Sequence, residues 1–428
     1  MSWVRPAALA LALVGALHAG SSGFASGGSV PAASSPVARA AGGAAEVRGL
    51  WVVRTALVSP AEVDRVVDEA RAGGFTDLFV QVRGRGDAFY ESALVGRSPL
   101  LARQPADFDP LSRLIDRARP AGLRVHAWTN VLLTAHFGVG LPSDHVLRRH
   151  PEWLMVPRAA AARALAAPPA SLLAIVGQAG RETGEAEGYY VTPSAPGVGE
   201  HLEAVVREVV RRYPVDGLHL DFIRYPSGEY DYSRPALEGF RRATGGRGDL
   251  LGGPSRDPAT WDAYRRDALT ALTRRLSQAA RRERPALVIS AAVVADEAQA
   301  RNHKFQDWPA WSRAGLLDAV CPMAYTPDDR LFRAQLARVR TLVPAPRVLW
   351  AGIGAYRLTL PAIVDRIRVA RESGATGVVL FSHESLQGPD WRRLRQEAFP
   401  EVAVGGEARE GSGLASGIYA APHSSASR

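Results

Sequence analysis

The chain has 428 residues, 46% of them apolar and 22% charged, with a formal net charge of +9. That is enough apolar material for one large domain or two ordinary ones with a substantial core. The positive charge does not make the chain a nucleic-acid binder. Lys304 is its only lysine, arginine is spread along the whole sequence as a coding bias would spread it, and no zinc-finger or other nucleic-acid motif accompanies it.

At the N-terminus, Arg5 precedes the apolar run "AALALALVGAL" (7–17), and the small-residue stretch "HAGSSGFASGG" follows. This is the pattern of a secretory signal peptide, with cleavage expected between residues 19 and 27. No cysteine follows the run, so a lipoprotein anchor is not expected, and no later segment reads as transmembrane. The expectation is an exported protein, periplasmic or secreted, with no membrane anchor after cleavage. Residues 1–26 are assigned to the signal, 27–45 to a small-residue linker, 46–402 to one folded domain and 403–428 to a tail of linker-like composition. The lone Cys321 lies in "LLDAVCPMAY", which suits a small core residue better than a nucleophile, and it can form no internal disulfide.

Between linker and tail, eight short apolar runs follow one another: "GLWVVR" (49–54), "DLFVQVR" (77–83), "LRVHAW" (123–128), "DGLHLDF" (216–222), "LVISAAVV" (287–294), "DAVCPMAY" (318–325), "RVLWAGIG" (347–354) and "GVVLFS" (377–382). Amphipathic stretches such as "PAEVDRVVDEARAGGF" and "HLEAVVREVVRRYP" separate them, with apolar residues at i, i+3, i+4 and i+7 and a helix-ending turn. Nearly continuous apolar strands alternating with helices predict an α/β fold with a parallel sheet, and eight such units predict a (β/α)8 TIM barrel. An open doubly wound sheet fits less well, because "VVRTALVSP" after the first strand has no glycine to cradle a phosphate. The long gaps after strands three and four (about 130–200 and 226–262) would rise from the C-terminal face, where barrel enzymes keep their sites.

Polar residues at strand ends are therefore the candidate site. Arg54 ends the first strand. Arg83 ends the second and opens "RGRGDAFYES", with Asp87, Tyr90 and Glu91. Trp128 and Asn130 end the third, and His219 and Asp221 share one side of the fourth. Asp296 and Glu297 follow the fifth, Tyr325 ends the sixth, and His383 and Glu384 follow the eighth. Aromatics with carboxylates suit a sugar, and cleaving a glycosidic bond ordinarily takes two carboxyl groups. Asp221 is the first candidate and Glu297 its expected partner, with Asp296 and Glu384 behind it. Competing structural roles are plain for several. Asp221 could pair with Arg224 or Arg83, Glu297 could begin an exposed helix, and Asp216 could cap a turn. His126 and His219 could be hydrogen-bonded interior groups, and Trp308 and Trp311 could serve packing. No HExxH, CxxC or GxSxG occurs, and no motif asks for a metal or cofactor.

"RGLWVVR", "FVQVRGRGDAFYES", "LRVHAWTNV", "HPEWL", "VDGLHLDFIRYP", "FQDWPAW" and "DAVCPMAY", in this order, resemble the glycosyl-hydrolase-like family ten. The resemblance spans about residues 46–385 and implies an exported bacterial (β/α)8 barrel related to glycoside hydrolases. Some members of that family act on cell-wall glycan, including peptidoglycan strands stripped of their peptides. It also implies that Asp221 lies in the active site, with Arg83, Asp87, Trp128, His219, Arg224 and Tyr325 lining the cleft. Where many relatives read like "YLNPG", this chain has "YYVTPSAPG", and the alanine-rich segment before it shows no clear site. The expected function is hydrolysis of a cell-wall or extracellular polysaccharide; a glycan-binding barrel without catalysis is the rival.

Overall fold

The computed structural model describes residues 46–400. The expected signal peptide, linker and tail, and the last two residues of the expected domain, lie outside the described residues.

Eight parallel strands close into a barrel in the order β1-β2-β3-β6-β7-β8-β9-β10 and back to β1. They are β1 (Val47–Val52), β2 (Asp77–Arg83), β3 (Arg124–Asn130), β6 (Gly217–Asp221), β7 (Val288–Val293), β8 (Ala319–Pro322), β9 (Val348–Gly354) and β10 (Gly377–Phe381). The ring closes through Val47–Trp51 of β1, paired in register with Gly377–Phe381 of β10. Two further strands, β4 (Leu133–His136) and β5 (Gly188–Tyr190), form a separate antiparallel pair inside the insertion after β3. All eight apolar runs of the sequence fall on barrel strands, and the doubly wound alternative is excluded by the closure.

Why these segments become strands follows from burial on both faces. Leu50, Leu78, Val80, Val125, Leu218, Leu220, Ile289, Val320 and Leu380 point outward and pack on the helices in one continuous core. Their alternates Trp51, Phe79, Trp128, Cys321, Trp350 and Val379 point inward and form a second cluster inside the barrel. The connecting helices present the complementary stripe. In Val198–Arg212 the buried positions are Val198, Leu202, Val205, Val206, Val209 and Val210. The helix Pro60–Ala72 starts where Ser59 accepts from the Glu62 N–H at 3.2 Å and Pro60 fills its first turn.

The polar residues at the base of the barrel are tied to one another. Asp77, at the N-terminal end of β2, accepts from Arg124 Nε and Nη2 at 2.7 Å each, from Thr76 Oγ1 at 2.6 Å and lies 2.9 Å from His126 Nε2. Burial pushes its carboxyl up, but the bonds from His126 and Arg124 outweigh that and hold it well below the usual range. His126 is thus a hydrogen-bonded interior group. Its ring leaves no room beside it: a Cβ at Gly217 would stand 2.0 Å from His126 Nδ1. Asp216 accepts from the Val125 N–H at 2.8 Å, tying the start of β6 to β3.

Candidate active site

A cleft of about 290 Å³ opens at the C-terminal mouth of the barrel, near the lower size of small-molecule sites. The strands build it by alternation. On β6, Leu218 and Leu220 pack outward, so Gly217, His219 and Asp221 face in, and Asp221 emerges at the top. By the same count β3 delivers Trp128 and Asn130, β2 delivers Gln81, and β10 delivers Phe381, all of which line the cleft.

Asp221 is 6% exposed. Its Oδ1 accepts from its neighbour's backbone, Phe222 N, at 2.6 Å and from Arg224 Nη1 at 3.1 Å, and its Oδ2 accepts from Trp128 Nε1 at 3.1 Å. Phe222 is a non-glycine residue at φ 48°, a strained setting. The Phe222 ring lies 4.2 Å from the Arg224 guanidinium. The Asp221–Arg224 pair anticipated from the sequence is therefore present, and it sits within the cleft. Burial lowers the Arg224 pKa, but Asp221, Tyr190 and Glu187 together raise it above the usual value.

Around this carboxylate the side chains form a chain of donors and acceptors. Trp128 Nε1 also reaches Asn130 Oδ1 at 3.0 Å, Asn130 Nδ2 donates to the Gly84 carbonyl at 2.8 Å, and Arg54 Nη1 donates to Gln81 Oε1 at 2.9 Å. The opposite wall is aromatic. Tyr325 stacks on Phe381 with centroids 5.6 Å apart, and the exposed Tyr356 meets Tyr325 edge-on at 6.1 Å. Burial, then the charge of Asp221, pushes the Tyr325 hydroxyl well above its usual pKa. Such walls suit sugar rings, which offer apolar faces to aromatics and hydroxyls to polar side chains.

Of the residues expected at the site, Asp221, Arg54, Trp128, Asn130, Arg224 and Tyr325 line the cleft. The others stand elsewhere. His219 faces inward but lies one layer down, fully buried. Trp51 Nε1 can only donate, so His219 Nε2 accepts at 3.1 Å and Nδ1 carries the proton to Ser290 Oγ at 2.9 Å. Burial holds its pKa well below normal, so it is a neutral support beneath Trp51. Arg83 is buried outside the cleft and donates to the Asn130 carbonyl, because the β2–β3 register shifts between Gln81 and Arg83 and breaks the alternation there. Asp87 shapes its own loop, accepting from the Arg85 N–H at 2.8 Å and from Ser98 Oγ at 2.6 Å. Tyr90 is buried against Tyr213, away from the cleft.

The expected second carboxylate is not there either. Glu297 opens the helix Glu297–His303 and makes a two-point pair with Arg338, at 2.8 and 2.6 Å. That hydrogen bonding lowers its pKa, as an exposed ion pair would. Asp296 caps the same helix through the Gln299 N–H at 2.8 Å. Glu384 is bound to Thr55 Oγ1 at the rim, where its charge reaches Arg54 without lining the cleft. His383 pairs with Glu69 at 2.7 Å, Trp308 Nε1 donates to the Val294 carbonyl and Trp311 Nε1 to Thr270 Oγ1, so both tryptophans serve packing.

Other residues enter that were not expected: Trp51, Val53, Gln81, Leu133, His136, Phe222, Ala292, Met323 and Phe381. Leu133 and His136 come from β4, in the insertion that carries no periodic signal. The same insertion brings Glu187, just before β5, whose Oε2 accepts from Tyr190 Oη at 2.5 Å. The charges of Glu187 and Asp221 both reach Tyr190 and Arg224. Among the described residues, no three His, Cys, Asp or Glu side chains gather as they would to hold a metal ion.

The barrel resembles solved glycosidase structures. The glycoside hydrolase domain of PgaB (BpsB) from Bordetella bronchiseptica aligns with a TM-score of 0.59 at 14% identity, covering 83% of this chain and 99% of that domain. The catalytic domain of beta-amylase from Paenibacillus polymyxa aligns with a TM-score of 0.55 at 13% identity, covering 82% and 97%. These likenesses establish the fold. In sequence, the chain is 24% identical over 383 residues to glycosyl hydrolase DigH of Escherichia coli (strain K12), covering 78% of this chain and 79% of that protein. It is 22% identical over 289 residues to glycosyl hydrolase YngK of Bacillus subtilis (strain 168), covering 62% and 48%. The family model of glycosyl hydrolase-like 10 matches residues 46–367, so this chain belongs to that family.

Proposed function

We propose that the protein is an exported glycoside hydrolase that cleaves O-glycosidic bonds of a bacterial cell-wall or extracellular polysaccharide, with the glycan strands of peptidoglycan as the leading substrate. The observation that carries this reading is Asp221, fixed by three donors at the mouth of an aromatic-walled barrel. In this mechanism Asp221 is the carboxylate that carries charge through the reaction, as nucleophile or as base on water. Glu187, whose charge reaches the same Arg224, is the carboxyl group we assign to supply the proton to the leaving oxygen. Trp128 and Arg224 orient Asp221, and Tyr325 and Phe381 hold the sugar. The glycan is the partner.

One observation favours a glycan-binding barrel without catalysis: among the described residues, Asp221 is the only carboxylate that lines the cleft, and it is paired with Arg224. Incubation with purified glycans, peptide-free peptidoglycan among them, separates the two. Hydrolysis requires reducing ends from the wild type and a loss of roughly 10²–10⁴-fold in both Asp221→Asn and Glu187→Gln. Binding with no product from any glycan would establish the rival reading. Equal product from wild type and Asp221→Asn would remove Asp221 from the chemistry.

A further inference from the structure

Arg54 is the one charged side chain of the cleft whose setting the proposed chemistry does not use. It is 9% exposed and lines the cleft. Its partner is a neutral amide: Nη1 and the backbone N–H both reach Gln81 Oε1, at 2.9 and 3.4 Å, and Nε has no hydrogen bond. Among the described residues no carboxylate lies within ion-pair distance of it, whereas Arg224, the other guanidinium of the cleft, is paired with Asp221 at 3.1 Å. The nearby acids are committed elsewhere, Asp87 to Ser98 and Arg85, and Glu384 to Thr55.

Its neighbours sharpen the imbalance. Arg85 stands close enough for the two guanidinium charges to repel, and burial together with that repulsion outweighs the pull of Asp87 and Glu384 and brings Arg54 down to about 10. His136, on the cleft wall contributed by β4, has its pKa lowered by burial and by Arg85 and Arg54, against the pull of Glu187. A buried cation whose direct partner is a neutral amide is only partly compensated by Asp87 and Glu384, which act on it without touching it. A site built this way is completed by an anionic ligand. One guanidinium facing the cleft presents a planar fork of donors, which matches a carboxylate held at two points.

We propose that Arg54 anchors an anion subsite in the cleft, which takes the carboxylate of an acidic sugar residue, with Gln81 and His136 beside it. The subsite rests on the reading of the cleft as a glycan site and adds to it the chemical class of the glycan. Two sources of carboxylate fit, a lactyl ether on an amino sugar and the ring carboxylate of a uronic acid.

The test is calorimetric binding to the Asp221→Asn protein, which halts turnover, with and without Arg54→Gln. The probes are peptide-free peptidoglycan strands and oligogalacturonate, each beside its carboxyl-reduced counterpart. The expected result is at least tenfold tighter binding of one native probe than of its reduced form, with that preference abolished by Arg54→Gln. Arg54→Lys, which keeps the charge and loses the fork, falls between, and thermal melts confirm that each variant is folded. The probe that shows the preference identifies the carboxylate source. The proposal is overturned if neither probe is distinguished from its reduced form, whether both bind or neither does, or if Arg54→Gln keeps the preference. Preference without any cleavage by the wild type would refute hydrolysis and leave the subsite standing.

Discussion

Asp77→Asn isolates the foundation of the barrel from its chemistry. Asp77 is 1% exposed and lies at the end of β2 opposite the cleft, with Arg124, His126 and Thr76 all bonded to it. Asparagine keeps the shape but offers one acceptor oxygen and no charge, so the two-point Arg124 bond and the His126 bond cannot both survive. Removing one partner of a buried pair costs about 3–5 kcal/mol. Arg124 is 48% exposed and regains water when released, which places the cost near the lower end, at about 3 kcal/mol. At ~2.1 cal/mol/K per residue over roughly 350 residues, the unfolding entropy is about 0.75 kcal/mol/K, so Tm should fall by about 4 °C. The sign with pH is also fixed. The folded carboxyl is depressed, so its contribution is complete above the unfolded value near 3.9 and is lost as pH falls towards the folded one. The gap between wild type and variant, followed by circular dichroism, should therefore be full at pH 7 and close only below about pH 4. A melt at pH 7 within about 1 °C of wild type would refute the reasoning, since every step that leads to ~4 °C begins from the buried pair.

Glu297→Gln should leave glycan turnover unchanged and cost no more than about 1 kcal/mol, because it breaks only an exposed pair with Arg338; a hundredfold loss of activity would return Glu297 to the mechanism. His201 is held down at about 4 by burial and by the charges of Arg83, Arg149 and His150. The unfolded chain therefore takes up a proton there first, and stability falls as pH drops from about 6.5 towards 4. Between pH 7 and 5 that is worth about 2 kcal/mol, so His201→Gln should lose visibly less urea resistance over this interval than wild type; an equal loss would contradict it. Cys321 is fully buried, and burial and then Asp221 raise its thiol well above the usual range. Ellman's reagent should find no thiol in the native protein and one equivalent in denaturant; rapid native reaction would show that the interior of the barrel is open to reagent.

The eight strands were readable because burial on both faces leaves little choice of residue: "DLFVQVR" and "LVISAAVV" can be nothing but interior strands in a chain that alternates them with amphipathic helices. The site was only half readable, and the division has a physical cause. A strand end says that a residue is high in the barrel, whereas lining the cleft also requires facing in. Asp221, Asn130, Gln81, Phe381 and Ala292 are the last inward positions of their strands, and all five line the cleft. Plain alternation would have kept Arg83 facing in along with Phe79 and Gln81, and the register shift that turns it away is invisible in sequence. Alternation would also have placed His219 one step below Asp221, under Trp51, where it is found. No such count reaches His136 or Glu187. They arrive on β4 and just before β5, and a segment with neither a 2-residue nor a 3.6-residue period gives no clue to what it approaches. The carboxylate partner sought for Asp221 was therefore looked for on the barrel, at Glu297, whereas among the described residues Asp221 is the one carboxylate that lines the cleft, and the charge that also reaches Arg224 is that of Glu187, on the insertion. On the proposed reading the site is assembled from separate supports: β6 holds Asp221, the chain after β1 brings Arg54, and the insertion after β3 adds His136 and Glu187.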